Sequence, residues 1–121
     1  MKSKPIVWAI LAIALILVVA CTNLPLRRPR SDIQNWVLEK TPLGSSVEDV
    51  RSVIAGNRWK VNLDWKGTNN TLTEVQGTQI IGAYLGGYQG LPWHADVDAY
   101  WGFDDDGKLI DLNVRKYYDA L

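Results

Sequence analysis

The sequence predicts an α+β domain in which two N-terminal helices cover one face of an antiparallel sheet of three to four strands. Apolar residues recur at the helical spacing of three and four positions between residues 31 and 56. After residue 57 they recur at every second position, which is the period of a strand with one buried face. Helices at one end of a chain and strands at the other are typical of α+β layers.

An apolar segment precedes this domain. Residues 6–20 form a run of fifteen apolar residues, with Lys2 and Lys4 before it and Cys21, the only cysteine, after it. A charged start, a short apolar run and a small residue at its end are the layout of a secretory signal. A membrane-spanning helix needs about 20 apolar residues. We therefore predict that residues 1–20 are a signal peptide, with an uncleaved membrane anchor or an ordinary signal as the alternatives.

Residues 21–30 are predicted to form a basic tether between the signal and the folded domain, which spans residues 31–121. The tether contains Pro25 and Pro29 and three arginines. In polyproline geometry, at about 3.1 Å per residue, the nine residues 22–30 reach at most roughly 28 Å. The arginines either contact acidic lipid headgroups, at about 1 kcal/mol each, or belong to a solvated linker.

The composition of the domain excludes several classes of partner. Residues 31–121 carry 8 basic and 13 acidic side chains, so the domain is mildly acidic and lacks the basic face of a nucleic-acid-binding protein. Cys21, the only cysteine, lies outside residues 31–121, so the domain has no thiol for a disulfide or a cysteine-based metal site. We therefore predict no cofactor, no metal and no nucleic-acid partner, and a core built on large aromatic residues.

Both helices have recognisable ends and one apolar stripe each. The first helix is predicted over residues 31–40, and a break at residues 41–44 follows it. The segment Ser45-Ser46-Val47-Glu48 matches a capping box at the start of the second helix, and Gly56 supplies its left-handed stop. The stripes consist of Ile33, Trp36 and Val37 in the first helix and Val47, Val50, Val53 and Ile54 in the second.

Three stretches of the second half are predicted as strands. Residues 59–65 alternate between apolar and polar side chains, and a further strand with an undefined register lies within residues 72–88, where glycines weaken the pattern. The clearest element is a hairpin that turns at residues 104–107. The expected register pairs Trp101 with Ile110, so that the numbers of paired residues add up to 211.

The junction Ala20-Cys21 at the end of the apolar run resembles the lipobox of bacterial lipoproteins. In that class a peptidase cuts before the cysteine, which is then acylated. The resemblance implies a mature protein that begins at a lipidated Cys21. Under the sorting rule of Gram-negative lipoproteins, Thr22 after the cysteine implies the outer membrane, with the domain facing the periplasm.

Two further stretches make the chain similar to small outer-membrane lipoproteins of the SmpA/OmlA (BamE-like) family. One is the helix start at residues 44–50, where a glycine precedes a hydroxyl residue and a valine follows. The other is the closing hairpin at residues 99–109, an aromatic strand followed by Phe103-Asp104 and a Gly-Lys-Leu turn. The family implies two helices before the strands and an envelope role. These motifs mark a fold, and no active-site residues follow from them.

Candidate contact residues lie in the second half of the chain. Glycines flank Tyr84 and Tyr88, which is expected to leave two tyrosine rings exposed, and tyrosine is favoured at protein interfaces. The predicted register places Tyr100 and Leu109 on the solvent-exposed face of the hairpin. We predict these four residues as a protein-binding surface; the alternative is a glycine-rich edge strand with partly buried rings.

The predicted function is a non-enzymatic, lipid-anchored periplasmic module that binds a protein partner, with envelope assembly or scaffolding as its role. An alternative is an inhibitor or immunity lipoprotein that blocks a toxin or an envelope hydrolase. A third possibility is an envelope hydrolase or metal-binding enzyme that uses His94, Asp96 and Asp98, which share one face of a strand. Zinc requires three or four converging ligands, and the chain has no second histidine.

Overall fold

The computed structural model describes residues 25–67, 73–90 and 92–120. In this part of the chain four strands form one sheet in chain order, and each strand pairs with the next in antiparallel fashion. The predicted α+β class is confirmed, with the helices before the strands. The elements are a 3-10 turn (Pro25–Arg27), α1 (Arg30–Lys40), α2 (Val47–Gly56), β1 (Lys60–Lys66), β2 (Gln79–Gln89), β3 (Trp93–Phe103) and β4 (Leu109–Ala120).

The ends of α2 differ slightly from the predicted ones. The N-cap is Ser46, whose hydroxyl accepts a hydrogen bond from the backbone N–H of Asp49 at 3.1 Å, and this satisfies one of the free donors at the helix start. At the other end the amide of Asn57 donates to the carbonyl oxygen of Val53 at 2.8 Å. The left-handed residue that ends the helix is Arg58, with φ at 58°, rather than Gly56.

The core lies between the helices and one face of the sheet, and Trp101 is at its centre. Trp101 is fully buried and stacks on Trp59, with 6.1 Å between the ring centroids. Its indole N–H donates to the hydroxyl of Thr41 at 3.0 Å, and that hydroxyl donates to the carbonyl oxygen of Val37 at 2.9 Å. A buried polar chain of this kind costs little because each donor has a partner. It ties the end of α1 to the last part of β3.

The register of the closing hairpin differs from the predicted one. Trp101 opposes Leu112, so the numbers of paired residues add up to 213, and the predicted sum of 211 is wrong. The turn takes one residue more than expected, because the carboxylate of Asp104 accepts the backbone N–H groups of Asp106 and Lys108, both at 2.9 Å. A bulge after the turn adds the second residue. A shift of two positions keeps every later side chain on its expected face.

The bulge exchanges the environments of two neighbouring residues. Leu109 is buried, with 1% of its surface exposed, whereas Ile110 is 45% exposed. The expectation that Leu109 lies on the solvent-exposed face is therefore wrong. A bulge leaves one residue of the strand unpaired and turns the side chains before it to the other face.

Bulges also divide β1 and β2. In β1 the shift between Val61 and Leu63 ends the single wet face that the alternation predicts. After the shift Asp64 faces the helices and forms an ion pair with Arg51 of α2 at 2.8 Å. In β2, an inner strand of the sheet rather than an edge, a shift follows Tyr84.

The folded domain begins before residue 31. Leu26 in the 3-10 turn is 5% exposed and belongs to the core. The ammonium group of Lys116 donates to the carbonyl oxygen of Arg28 at 2.6 Å, which holds the next residues on β4. The segment before α1 therefore packs against the domain from Leu26 onward, where the sequence predicts an extended tether.

The predicted signal peptide and Cys21 lie outside the described residues. Within residues 25–67, 73–90 and 92–120, neither helix has the length and apolar composition needed to cross a bilayer.

Candidate functional site

The helix-free face of the sheet is partly covered by the segment of residues 73–78. This segment crosses directly over Gly102, where a Cβ atom would overlap the carbonyl oxygen of Gln76. Asp111 accepts the backbone N–H of Gln76 at 2.9 Å, and Asn113 donates to the carbonyl oxygen of Thr73 at 3.0 Å. The rest of this face is not covered by any described segment. We call it the open face; it comprises Asn62, Tyr84, His94, Asp96, Asp98, Tyr100, Arg115 and Tyr117.

One half of the open face is built around Asp96. The hydroxyl of Tyr84 donates to Asp96 Oδ1 at 2.7 Å, and His94 Nε2 lies 3.0 Å from the same oxygen. Gly87 lies beneath this group, since a Cβ there would be 2.7 Å from both Asp96 Oδ1 and the Tyr84 hydroxyl. The glycine of β2 thus makes room for the hydrogen bond that joins β2 to β3.

This arrangement shifts the pKa values of Tyr84 and Asp96 in opposite directions. Burial first, and then the hydrogen bond to Asp96, raise the pKa of Tyr84 to about 12. The hydrogen bond from Tyr84 lowers the pKa of Asp96, and His94 adds to this effect, although partial burial opposes it. At neutral pH the phenol therefore keeps its proton and the carboxylate keeps its charge.

The other half of the open face joins two tyrosines to Asp98. The hydroxyl of Tyr100 lies 3.2 Å from Asp98 Oδ2 and 3.4 Å from the hydroxyl of Tyr117. Burial raises the pKa of Asp98, while hydrogen bonds from Tyr100 and Asn62 act in the opposite direction. Burial, together with Tyr117 and Asp98, raises the pKa of Tyr100 well above its ordinary value.

Arg115 supplies the positive charge of this half. It opposes Asp98 in the β3–β4 register, whereas the sequence predicts that it opposes Asp96. Its guanidinium carbon lies 5.4 Å from the centre of the Tyr117 ring. Cation–π contact of this kind keeps the charged group flat against the aromatic surface.

The four predicted contact residues do not form one surface. Tyr84 and Tyr100 are half-buried members of the open face. Tyr88 is only 9% exposed, so its expected exposure is wrong; the bulge in β2 directs it to the helix-covered face. Leu109 is in the core. Its inclusion rested on the wrong face assignment.

Three members of the open face, Asn62, Arg115 and Tyr117, were not predicted as site residues. Tyr117 lies two positions beyond Arg115 on the same face, so the alternation of β4 was a sufficient signal for it. Asn62 was assigned to a polar face of β1, but its position over Gly82 depends on the bulge. A Cβ on Gly82 would lie 2.8 Å from the side-chain oxygen of Asn62. No pattern in the sequence indicates that contact.

The chemistry of the open face is that of recognition by hydrogen bonds. It offers phenol hydroxyls, carboxylates and a guanidinium that already hold one another in place. Among the residues that the structure describes, no three metal-binding side chains converge. His94 and Asp96 contact each other, while Asp98 is engaged by Tyr100 on the other half of the face.

Comparisons of the chain with models of protein families, with curated proteins and with solved structures found no match. The similarity to the SmpA/OmlA lipoproteins therefore stays a prediction.

Proposed function

We propose that the protein is an exported, lipid-anchored envelope module that binds a protein partner through the open face. The observation that carries the proposal is the ordered group of tyrosines and charges on the one sheet surface that the helices leave free. Tyrosine and arginine are enriched at protein interfaces, and both dominate the residues that contribute most to binding.

Pre-organisation of the side chains supports binding over mere solvation. Tyr84 and Asp96 are fixed by a 2.7 Å hydrogen bond, and Tyr100 contacts both Asp98 and Tyr117. A partner that meets such a surface has few rotamers left to order, which lowers the entropic cost of association. The face also carries both signs of charge, so it favours a partner of complementary pattern.

Attachment to the membrane is the second part of the proposal. Cys21 follows a signal-like apolar run, and Leu26, a core residue of the domain, comes only five positions later. A domain packed so close to its acylated cysteine remains at the membrane surface. Thr22 after the cysteine favours the outer membrane, with the domain in the periplasm.

The binding face can be tested by site-specific crosslinking in intact cells. A photoreactive amino acid replaces Tyr117, which is 38% exposed on the open face, and a control replaces Leu43, which is 62% exposed before α2. We expect one discrete crosslinked product from position 117 and none from position 43. We also expect Tyr84→Phe to weaken that product, because it removes the hydroxyl that orders Asp96.

A product of equal yield at both positions would contradict a specific binding face, because the control is the more exposed site. Absence of any product at position 117 when the experiment is done in the native host would contradict it as well. Isolation of the crosslinked partner separates scaffolding from inhibition, since a toxin or hydrolase indicates the latter.

A further inference from the structure

The end of the sheet where β2 finishes and β3 begins presents aromatic residues to the outside. Trp93 is 37% exposed and Tyr118 is 57% exposed, and their rings meet edge to face with 5.3 Å between centroids. Together with Pro92 and Asp119 they line an open groove of about 500 Å³. We call this surface the aromatic end.

The first residues of the folded domain lie beside the aromatic end. Leu26 packs against β2 at Gly86, where a Cβ would be 2.9 Å from a Leu26 methyl group. The Arg27 guanidinium is 5.0 Å from the centre of the Tyr88 ring, and that ring is 6.0 Å from the ring of Trp93. The chain therefore enters the domain next to its exposed aromatic residues.

The length of chain between Cys21 and Leu26 limits how far this end can be from the anchor. The two residues are five positions apart. At the extended limit of about 3.6 Å per residue, the span is at most roughly 18 Å. A lipid on Cys21 thus holds the aromatic end close to the bilayer.

Charge favours the same orientation. Arg27 is exposed beside the Tyr88 ring, and Arg28 and Arg30, which follow it closely in the chain, are exposed as well. The opposite end of the sheet carries the acidic turn at residues 104–106. The eleven residues of β3 separate the two ends, which amounts to about 34 Å at 3.4 Å per residue. A negatively charged membrane surface attracts the first end and repels the second.

We propose that the aromatic end is the membrane-facing surface of the domain, with Trp93 and Tyr118 in the headgroup region of the bilayer; the proposal rests on the lipid anchor of the proposed function. Tryptophan and tyrosine are the residues enriched at this depth, because their rings combine an apolar body with a polar group. In this orientation the strands stand away from the membrane and the open face remains accessible to a partner.

The orientation can be measured with fluorescent labels on the full chain, extracted from membranes and reconstituted into vesicles of phosphatidylethanolamine and phosphatidylglycerol. Cys21 is the only cysteine, so an acylated protein has no free thiol and Tyr118→Cys is labelled at one place. Asp119→Cys provides a second site on the same rim. Asp105→Cys in the exposed acidic turn is the matched control.

A nitroxide on the lipid headgroup is expected to abolish most of the fluorescence at positions 118 and 119 and to leave position 105 unchanged. Soluble iodide is expected to show the reverse pattern. Strong iodide quenching at position 118 would overturn the proposal, because the aromatic end would then face water. Protection of position 118 from both quenchers would overturn it too, because a second copy or another segment of the chain would then cover it.

Failure of the anchor itself gives a different result. The parent chain would then react with the thiol label at Cys21 and remain in the supernatant when the vesicles are sedimented. A parent chain that sediments without labelling, combined with an iodide-accessible position 118, refutes the orientation and leaves the anchor intact.

Discussion

At the scale of single residues, the open face depends on glycines placed beneath its polar groups. Gly87 and Gly82 lie where a side chain would displace the Tyr84–Asp96 hydrogen bond and the Asn62 amide, respectively. The hydrogen bond between Tyr84 and Asp96 in turn raises the pKa of the tyrosine and lowers the pKa of the carboxylate. The sequence shows the tyrosines and carboxylates but not these contacts, because they depend on which residues face each other across the strands.

The pairing of Tyr84 with Asp96 predicts a pH dependence. The pKa of Tyr84 is raised from 10.0 to about 12, so its contribution to stability is complete below pH 10 and is lost as the pH rises towards 12. We expect Asp96→Asn to move the ionisation of Tyr84 part of the way back, since burial remains but the carboxylate is gone. Phenolate absorbance during a pH titration measures this.

Two variants make that titration interpretable. Tyr84→Phe identifies the component that belongs to Tyr84, and Asp105→Asn, in the exposed turn, controls for the loss of one carboxylate elsewhere. If the Asp96→Asn curve matches the parent curve, the hydrogen bond does not contribute as described. The pKa of Asp96 is lowered, so its own contribution is present at neutral pH and is lost as the pH falls through its folded pKa.

Gly102 provides a second prediction at this scale. A Cβ at this position would overlap Gln76 in the covering segment, so Gly102→Ala should lower the free energy of unfolding by about 3 kcal/mol, a typical cost of overpacking. Gly56→Ala is the matched control, because nothing lies within 4 Å of its added methyl group. We expect that control to be neutral or to stabilise α2 by up to about 1 kcal/mol. Urea unfolding followed by tryptophan fluorescence compares them, and equal stability of both variants would contradict the crossing.

At the scale of elements, hydrophobic periodicity was enough to predict both helices, the strands and the hairpin. It could not predict the bulges, because one unpaired residue leaves the alternation on either side of it intact. In the hairpin the longer turn and the bulge together shift the register by two positions, and a shift of two is invisible to a pattern of period two. Only Leu109 and Ile110, at the longer turn and the bulge, have the opposite burial from the predicted one.

These two neighbours supply the prediction for the hairpin. Leu109→Ala should destabilise the protein by about 2–5 kcal/mol, the usual cost of removing a buried leucine side chain. Ile110→Ala should change stability by no more than about 0.5 kcal/mol, as expected of an exposed site. Denaturant unfolding of both variants against the parent decides between the observed register and the one that the alternation predicts. A larger loss of unfolding free energy for Ile110→Ala than for Leu109→Ala would contradict the observed register and support the predicted one.

At the scale of the whole molecule, the domain has two surfaces with different properties. The aromatic end lies near the buried Leu26 and the exposed Arg27, while the open face runs along the sheet and carries tyrosines and carboxylates. The first surface suits a membrane and the second a protein. The proposed membrane attachment and the proposed partner binding therefore use different residues of the domain.

The candidate site was only partly predictable at this scale. Tyr84 and Tyr100 were identified from composition and alternation, and both belong to the open face. Tyr88 and Leu109 were misplaced by the bulges in β2 and β4. The packing of Leu26 was not predicted either, because two prolines and three arginines around it are typical of an extended linker.

We propose that the domain is held to the membrane through Cys21, and the mass of the intact protein is a direct test of this attachment. The protein is expressed in a Gram-negative host and extracted from the membrane fraction. We expect a chain that begins at Cys21 and carries a diacylglyceryl group and an acyl chain, and a Cys21→Ser variant that is neither lipidated nor cut before residue 21. An unmodified Cys21 in the membrane-extracted protein, or a chain that retains residues 1–20, would contradict it.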